Sequence, residues 1–236
     1  MVCNMKKGLI LLKSLFFTAN QNITNMQGTG YKYLIDEISN KNEINIDNET
    51  LRNQLGYFNS HPFMINFIIG MWFKEYLNKG DPDYFKKVYG SALAALGDSF
   101  FWHTLRPLSF VLSAILAIYE PFVGLIFYFV FFNIFHIFFL WIGFDAGFKL
   151  GKEVISWFNY IKFNSWSKYG DLIAVFGFGI LLSMLIKINI GFQVDLLSLV
   201  SFFAVLGFLF AKRLDVSLAF IVALILLLLI VYVRGM

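Results

Sequence analysis

FVGLIFYFVFFNIFHIFFLWIGF, residues 122–144, is a run of 23 residues without a formal charge. A transmembrane helix needs about 20 apolar residues to cross roughly 30 Å of hydrocarbon. The run is long enough to span a bilayer, and it predicts a transmembrane helix. Nine of its residues are Phe, which we interpret as lipid contact and packing rather than as a binding site.

The composition of the whole chain also indicates a membrane protein. Of 236 residues, 58% are hydrophobic and only 14% are charged, against about a quarter charged in soluble domains. This balance argues against a soluble cytosolic enzyme and against a disordered protein. Cys3 is the only cysteine, which argues against a disulfide-stabilised secreted domain. The net charge of +4 is typical of a membrane protein whose cytoplasmic loops are rich in Lys and Arg. We therefore expect membrane lipid around the chain and no nucleic-acid partner.

Four further segments complete a prediction of about five transmembrane helices. Residues 216–233 are free of charge, 196–211 are shorter, and 172–190 contain Lys187 near one end, where its stem can reach the headgroups. Residues 91–118 are long enough to span but contain several polar residues. The predicted fold class is therefore an all-α integral membrane protein, with re-entrant or interfacial helical hairpins in addition to its spans.

The orientation follows from the basic residues, which concentrate in cytoplasmic loops. Loop 145–171 and the turn at 212–213 carry six Lys or Arg, whereas the opposite side carries two. This bias predicts a cytoplasmic loop 145–171, a cytoplasmic N-terminus and a C-terminus outside. The six are Lys149, Lys152, Lys162, Lys168, Lys212 and Arg213, and the two are Lys187 and Arg234.

Polarity divides the chain into three regions. Residues 1–90 are predicted to form a cytoplasmic or interfacial helical region, 91–155 a broken helix and the Phe-rich span, and 156–236 the C-terminal transmembrane helices. At the N-terminus, Lys6 and Lys7 precede an apolar run that resembles a signal peptide. Lys13 interrupts the run, so an amphipathic interfacial helix is the favoured interpretation over a cleaved signal.

Polar breaks interrupt the apolar runs at 21–30, at 59–62 and at 97–107. Irregular backbone is tolerated at membrane depth only where it is buried in protein or lines a cavity. The breaks therefore suggest hairpins that enter a protein-lined cavity. Residues 63–73, after the second break, are too short to cross and predict a core helix or a re-entrant arm.

The third break contains Asp98 and Arg106, which are expensive at membrane depth unless they are paired or face water. They lie eight positions apart, about 80° around an α-helix, so they share a face and form a candidate ion pair. Pro107 disfavours helical geometry at Arg106, which predicts a broken or re-entrant helix. Two interpretations stay open: a midplane transport site, or a pair that only braces neighbouring backbone.

Asn133 and His136 lie three positions apart within the Phe-rich span, so they share one helical face. A hydrogen bond between helices is the favoured interpretation, and a lining role in a polar path is the alternative. Elsewhere the sequence contains no phosphate-binding glycine loop and no Cys/His cluster with metal spacing. We therefore expect no catalytic residues, no metal and no cofactor.

Four short motifs resemble the IID membrane component of the mannose/fructose/sorbose family of bacterial phosphotransferase systems. Phe16-Phe17 followed by Asn22, Met26-Gln27 and two glycines looks like the N-terminal signature of that family. NSHP at 59–62, GDSFFWHTLRP at 97–107 and GFKLG at 147–151 are similar to its Asn-Thr-His-Pro, Gly-Asp-Ser-Leu-Phe-Trp-Gly-Thr-Leu-Arg-Pro and Gly-Tyr-Lys-Leu-Gly blocks. The resemblance covers roughly residues 8–155.

The resemblance implies the inverted fold shared by IIC and IID proteins, and a non-catalytic transport subunit in the bacterial inner membrane. Such a subunit joins a IIC partner in a hetero-oligomer that carries a hexose inward, and cytoplasmic IIA and IIB subunits supply the phosphoryl group. His61, His103 and His136 are then not phosphorylation sites. The residues implied to shape the substrate pathway or the subunit interface are Asn22, Gln27, Asn59, His61, Asp98, Trp102 and Arg106.

The chain departs from the family pattern just before the third break. Ser91-Ala92 stand where relatives carry Gly-Pro, and Ala95 replaces another glycine. This departure favours an alternative, namely a regulatory or receptor-like membrane subunit that keeps the fold without sugar flux. An unrelated channel or scaffold is a third class, and the motif blocks argue against it.

Overall fold

The computed structural model describes residues 7–190, and beyond them only Ile221 and Ile225. The predicted spans 196–211 and 216–233 lie outside the described residues, apart from those two isoleucines. The described part is helical, with two isolated β-bridges and no strand. Its α-helices are α1 Lys7–Ser14, α2 Gly28–Lys41, α3 Asn48–Asn53, α4 Ile65–Leu77, α5 Pro82–Gly97, α6 Arg106–Tyr119, α7 Pro121–Leu150, α8 Val154–Tyr160 and α9 Phe163–Ile190.

Local sequence signals explain where several helices begin. Asp47 caps α3 by accepting the N–H of Thr50, and Asp81 caps α5 by accepting the N–H of Tyr84. Pro82 and Pro121 each occupy a first helical position, where the missing N–H costs nothing because it would have no partner in the helix. The turn between α6 and α7 falls at Glu120-Pro121.

Two helical stretches of the described residues are long and apolar enough to cross a bilayer: Pro82–Tyr119 and Pro121–Leu185. Only 39% and 17% of their most apolar windows are buried within the chain, unlike the core helix of a soluble protein. The predicted Phe-rich span lies within α7 and the predicted span 172–190 within α9, so both are confirmed as helices.

The third break is not a break. Residues Asp98–Leu105 form a π-helical segment that joins α5 to α6 without interruption. The prediction of a broken helix at Pro107 is therefore wrong. Helix α6 begins at Arg106, directly after the π-helical segment, so Pro107 lies where the helical geometry changes and does not end the helix.

The described residues belong to two compact units: the first draws on Met1–Leu105 and Val130–Ser167, the second on Arg106–Phe129 and Lys168–Met236. The second unit contains α6 and the beginning of α7, where Ser113 Oγ donates to the carbonyl of Gly124 at 2.6 Å. The division of the chain into regions 1–90, 91–155 and 156–236 rests on the polarity of the sequence, and it stays a prediction.

Helix α4 is the centre of the first unit. Most of its residues from Ile65 to Phe73 are fully buried, which confirms the core helix predicted for 63–73. It packs closely on α7, because a Cβ at Gly70 would collide with the backbone at Phe144, and one at Gly147 with the backbone at Phe67. Small residues at such crossings let helix backbones approach one another.

Helix α1 is held to this core on one side. Ile10 and Ser14 are buried, whereas Leu12 is 58% exposed. Asn66 Nδ2 in α4 donates to Ser14 Oγ at 3.0 Å and to the carbonyl of Leu140 in α7 at 2.8 Å. One buried amide therefore joins three helices of the first unit.

Candidate functional site

The first polar break is a hydrogen-bonded turn organised by Asn22. Its Oδ1 accepts the N–H groups of Thr24 and Asn25 at 3.0 and 3.1 Å, and its Nδ2 donates to Asn25 Oδ1 at 2.8 Å. Its backbone N–H donates to the carbonyl of Met26 at 3.1 Å, and Met26 has a positive φ of 52°. Asn side chains favour such turns because they bond their own backbone. Asn22 therefore shapes the loop.

The first two breaks are joined by hydrogen bonds at Gln27. Its backbone N–H donates to the carbonyl of Phe58 at 2.8 Å, and its Oε1 accepts the N–H of Ser60 at 2.8 Å. Gln27 is only 4% exposed. The backbone also pairs where the N–H of Phe58 donates to the carbonyl of Asn25 at 3.3 Å. Two segments that are separate in the sequence thus form one loop pair, with Gln27, Phe58 and Ser60 buried between them.

The loop pair is fastened to α5. Ser60 Oγ donates to the carbonyl of Gly90 at 2.8 Å. Further along α5, Gly97 faces the His61 ring so closely that a Cβ there would lie 2.5 Å from His61 Cγ. Glycine at position 97 is therefore required by the approach of His61.

His61 is buried, with 1% of its side chain exposed. Its Nδ1 accepts the N–H of Phe63 at 3.2 Å. Burial lowers the pKa of His61 to about 3, with the nearby His136 as a smaller cause. The ring is neutral at physiological pH, so its proton is on Nε2. This buried N–H has no hydrogen-bond partner in the described part of the chain.

Aromatic rings surround His61 on several sides. It stacks on Phe101 with ring centres 5.0 Å apart and lies 5.1 Å from Trp102. Phe63 contacts His61 edge-on at 5.0 Å and stacks on His136 at 3.6 Å. The second and third polar breaks therefore meet α7 in one aromatic cluster of the first unit, and the first break is joined to it through the hydrogen bond between Gln27 and Ser60.

Asn133 and His136 lie on the same face of α7, as predicted. Their side chains approach to 3.4 Å between Asn133 Oδ1 and His136 Nδ1. Both residues are half-buried. This contact lies within one helix, and the stacking of His136 on Phe63 supplies its link to the rest of the unit.

The remaining predicted residues are less enclosed. Asn59 and Arg106 are exposed, Asp98 is half-buried, and Trp102 is 38% exposed. Asp98 forms no salt bridge with another residue of the described part of the chain, unlike Lys13 with Glu37 and Lys32 with Asp36. The predicted ion pair with Arg106 is therefore absent. Eight positions span about 12 Å along an α-helix, so a shared face does not bring two such side chains into contact.

Three of the seven predicted residues belong to one connected group of contacts: Gln27, His61 and Trp102. Asn59 lies beside it in the chain, and Asp98 follows Gly97. We define the junction as these three residues with Ser60, Gly97 and the rings of Phe63 and Phe101. Among the described residues, no group of His, Cys, Asp or Glu is arranged to hold a metal ion.

Sequence reasoning missed Lys86, which lies beneath the second loop. It is 5% exposed, and its Nζ donates to the carbonyl of Gln54 at 2.9 Å. The same Nζ lies 4.8 Å from the ring centre of Tyr31 and 5.9 Å from that of Phe58. The sequence reads as a polar Lys86-Lys87 pair, and nothing in that pattern distinguishes the buried lysine from its neighbour.

The fold and the junction define a helical protein with two span-length helical stretches, in which the loop residues Gln27, Ser60 and His61 are buried. A sequence model of the mannose/fructose/sorbose phosphotransferase system family, IID component, matches residues 5–235. The match covers almost the whole chain, and the chain belongs to this family.

Curated relatives agree with this assignment. The chain is 30% identical over 148 residues to the sorbose-specific EIID component of Lacticaseibacillus casei, covering 59% of this chain and 52% of that one. It is 26% identical over 193 residues to the fructose permease IID component of Bacillus subtilis, covering 77% and 70%. The mannose-specific EIID component of Escherichia coli K12 is 22% identical over 192 residues, covering 77% and 68%. The alignment thus spans about half of the first relative.

Two solved structures share the fold. One is described as the structure of a membrane protein, with a TM-score of 0.64 and 19% identity, covering 98% of this chain and 96% of that one. The other is a cryo-EM structure of the mannose transporter ManYZ in complex with microcin E492, with a TM-score of 0.57 and 18% identity, covering 100% and 98%. At these identities the likeness supports the fold alone, and the fold is that of known membrane proteins.

Proposed function

We propose that this chain is a non-catalytic IID subunit that transports sugar together with a IIC membrane partner. The complex carries a mannose-type hexose inward, where IIB phosphorylates it with a phosphoryl group received from IIA. Family membership over residues 5–235 supports this function. The observation that carries it is the junction itself, because it connects three of the four motif segments: Gln27 accepts the N–H of Ser60, and the neighbouring His61 packs against Trp102.

The test is sugar uptake in a host that lacks its own hexose phosphotransferase systems. The chain is produced with IIC, IIB and IIA proteins from its own genomic neighbourhood, and a panel of radiolabelled hexoses and sorbose is supplied. We expect uptake of at least one sugar that disappears when this chain alone is omitted. Uptake that continues without the chain contradicts the proposal.

The absence of catalysis has its own test. His61 is 1% exposed, so a phosphoryl donor cannot reach its ring in this conformation. Incubation of the complex with labelled phosphoenolpyruvate and the general carrier proteins should label IIA and IIB, and leave this chain unlabelled. A phosphohistidine on this chain contradicts a purely transporting role.

We further propose a multi-pass arrangement in the inner membrane, with about five spans, a cytoplasmic N-terminus and the C-terminus outside. Two span-length helical stretches and the six-to-two bias of basic residues support it. Reporter fusions after Met236 and near Asn159 test it, with the first expected to report outside and the second the cytoplasm. A cytoplasmic signal after Met236 contradicts five spans.

A regulatory or receptor-like subunit is the second candidate, favoured by Ser91-Ala92 in place of the family's Gly-Pro. In that case the chain co-purifies with a IIC partner, but no sugar of the panel enters the cell. Replacing Ser91-Ala92 by Gly-Pro provides the matched comparison. If that change alone creates uptake, the regulatory function is supported.

A further inference from the structure

A mixed polar and aromatic surface lies on the first unit where α7 passes the π-helical segment. Trp102 is 38% exposed and lies nearly parallel to Phe132, with ring centres 6.3 Å apart and planes inclined by 21°. Asn133 and His136 follow on the same face of α7, in contact with each other. Phe132, Asn133 and His136 are half-buried. We name these four residues the Trp102 surface.

The depth of this surface in the membrane decides what can cover it. Asn133 and His136 are the twelfth and fifteenth residues of the 23-residue uncharged run 122–144, so they lie near its middle. Polar side chains at that depth face the bundle interior or a water-filled cavity, because contact with lipid chains is costly. The half-buried amide and imidazole therefore indicate that this face of α7 meets a polar environment.

The chemistry of the surface fits a sugar. An indole offers an apolar face to the C–H face of a pyranose ring, and an amide with an imidazole offers donors and acceptors to hydroxyl groups. Binding sites for small molecules combine apolar walls with a few polar groups in this way. An ion is a poorer match, since the described residues include no cluster of carboxylates, cysteines and histidines suited to a cation.

A second observation points to a ligand. The Nε2–H of His61, whose ring centre lies 5.1 Å from that of Trp102, has no acceptor in the described part of the chain. A buried donor without a partner is destabilising, and native proteins rarely keep one without a role. A hydroxyl oxygen of a bound sugar that reached this ring would supply the missing acceptor.

We propose that the Trp102 surface is a hexose-contacting wall of the translocation path, with Trp102 stacking on the sugar and Asn133 and His136 bonding its hydroxyls. This inference rests on the proposed transport function. It adds direct contact with the sugar by this subunit.

The experiment measures sugar binding and uptake separately. Asn133→Leu and His136→Phe remove the polar atoms while conserving size, and Phe at 136 can keep the stacking on Phe63. Trp102→Leu removes the stacking face. The control is Trp141→Leu, since Trp141 is 47% exposed on the same helix α7 and lies outside the surface. Each variant is purified with its IIC partner, and equilibrium binding of radiolabelled hexose is measured without IIA or IIB.

We expect the three variants to co-purify with the IIC partner and to weaken hexose binding about tenfold each, which corresponds to about 1.4 kcal/mol. The KM of uptake should also rise about tenfold. Trp141→Leu should change neither the Kd of hexose binding nor the KM of uptake. Unchanged binding in Asn133→Leu and His136→Phe overturns the inference. Loss of the IIC partner from these variants also overturns it, because the surface is then a protein interface.

The experiment distinguishes failure of the proposed transport function from failure of this inference. If the parent complex binds a hexose without taking it up, the transport function fails, while the binding data of the variants still decide the inference. If the parent complex binds no sugar of the panel, the inference is overturned.

Discussion

Gln27 Oε1 accepts a hydrogen bond from the backbone N–H of Ser60 at 2.8 Å, although 33 positions separate the two residues in the chain. Ser60 in turn donates through its hydroxyl to the carbonyl of Gly90 in α5. All the bonded groups are buried. The amide of Gln27 is therefore a buried side-chain link that holds the first polar loop to the second, beside the more exposed bond from Asn25 Nδ2 to the carbonyl of Leu55.

Gln27→Leu should destabilise the protein by about 1–3 kcal/mol, because the Ser60 N–H would be buried without an acceptor. Thermal unfolding of the detergent-solubilised complex measures this as a lower Tm. Gln21→Leu is the control, since Gln21 is exposed in the same loop and should leave Tm nearly unchanged. Equal losses in both variants would mean that the Gln27 hydrogen bond contributes nothing specific.

Gly97→Ala should also destabilise the protein, by about 1–3 kcal/mol, because the new Cβ would overlap His61. The clash outweighs the gain of up to about 1 kcal/mol that Ala normally offers within a helix. Gly8→Ala is the matched control, since nothing lies within 4 Å of a Cβ at Gly8 in α1. A Gly97→Ala protein as stable as the parent would show that His61 can move away from α5.

The sequence predicted where helices lie, but it did not predict that α5 continues into α6 without a break. Apolar length identified α7 and part of α9, and the short apolar run predicted α4 as a core helix or a re-entrant arm. Asp98 and Pro107 suggested a break, but hydropathy and residue type do not reveal a shift from α- to π-helical hydrogen bonding. The helix therefore continues where the pattern predicted an interruption.

The candidate site was only partly predictable, for a related reason. Gln27 and His61 stand out because they are polar within apolar surroundings. Phe63 and Phe101 do not, because they are two of 30 Phe residues. The pairing of Gln27 with Ser60 is a contact at long range, and no periodicity within either segment encodes it.

Asn66→Asp should destabilise the protein far more than Asn66→Leu. The Nδ2 of Asn66 donates to Ser14 Oγ and to the carbonyl of Leu140, whereas its Oδ1 has no partner in the described part of the chain. Leu removes the donor but also the unsatisfied oxygen, so its cost should stay near 1–2 kcal/mol. Asp places a buried charge against two oxygen atoms, which should cost several kcal/mol.

The control for Asn66→Asp is Asn48→Asp, at an exposed position in the first turn of α3. A negative charge near a helix N-terminus is favourable, so this change should be neutral or slightly stabilising. Chemical denaturation of both variants beside the parent measures the difference. Similar effects of Asp and Leu at position 66 would show that Asn66 acts by filling space.

His61 should make the protein less stable as the pH falls. Burial lowers the pKa of His61 to about 3 in the fold, whereas the pKa of an unfolded histidine is about 6.5. Between these values only the unfolded state takes up the proton, so the stability is complete above pH 6.5 and is lost as the pH decreases toward 3. At pH 5 the loss from this group is roughly 2 kcal/mol. His61→Asn keeps an acceptor for the N–H of Phe63 but has no group that titrates in this range, so its Tm should fall less between pH 7.5 and pH 5 than that of the parent. The exposed His103 supplies the control as His103→Asn, which should retain the slope of the parent, and an equal slope in all three proteins would mean that His61 is not the group responsible.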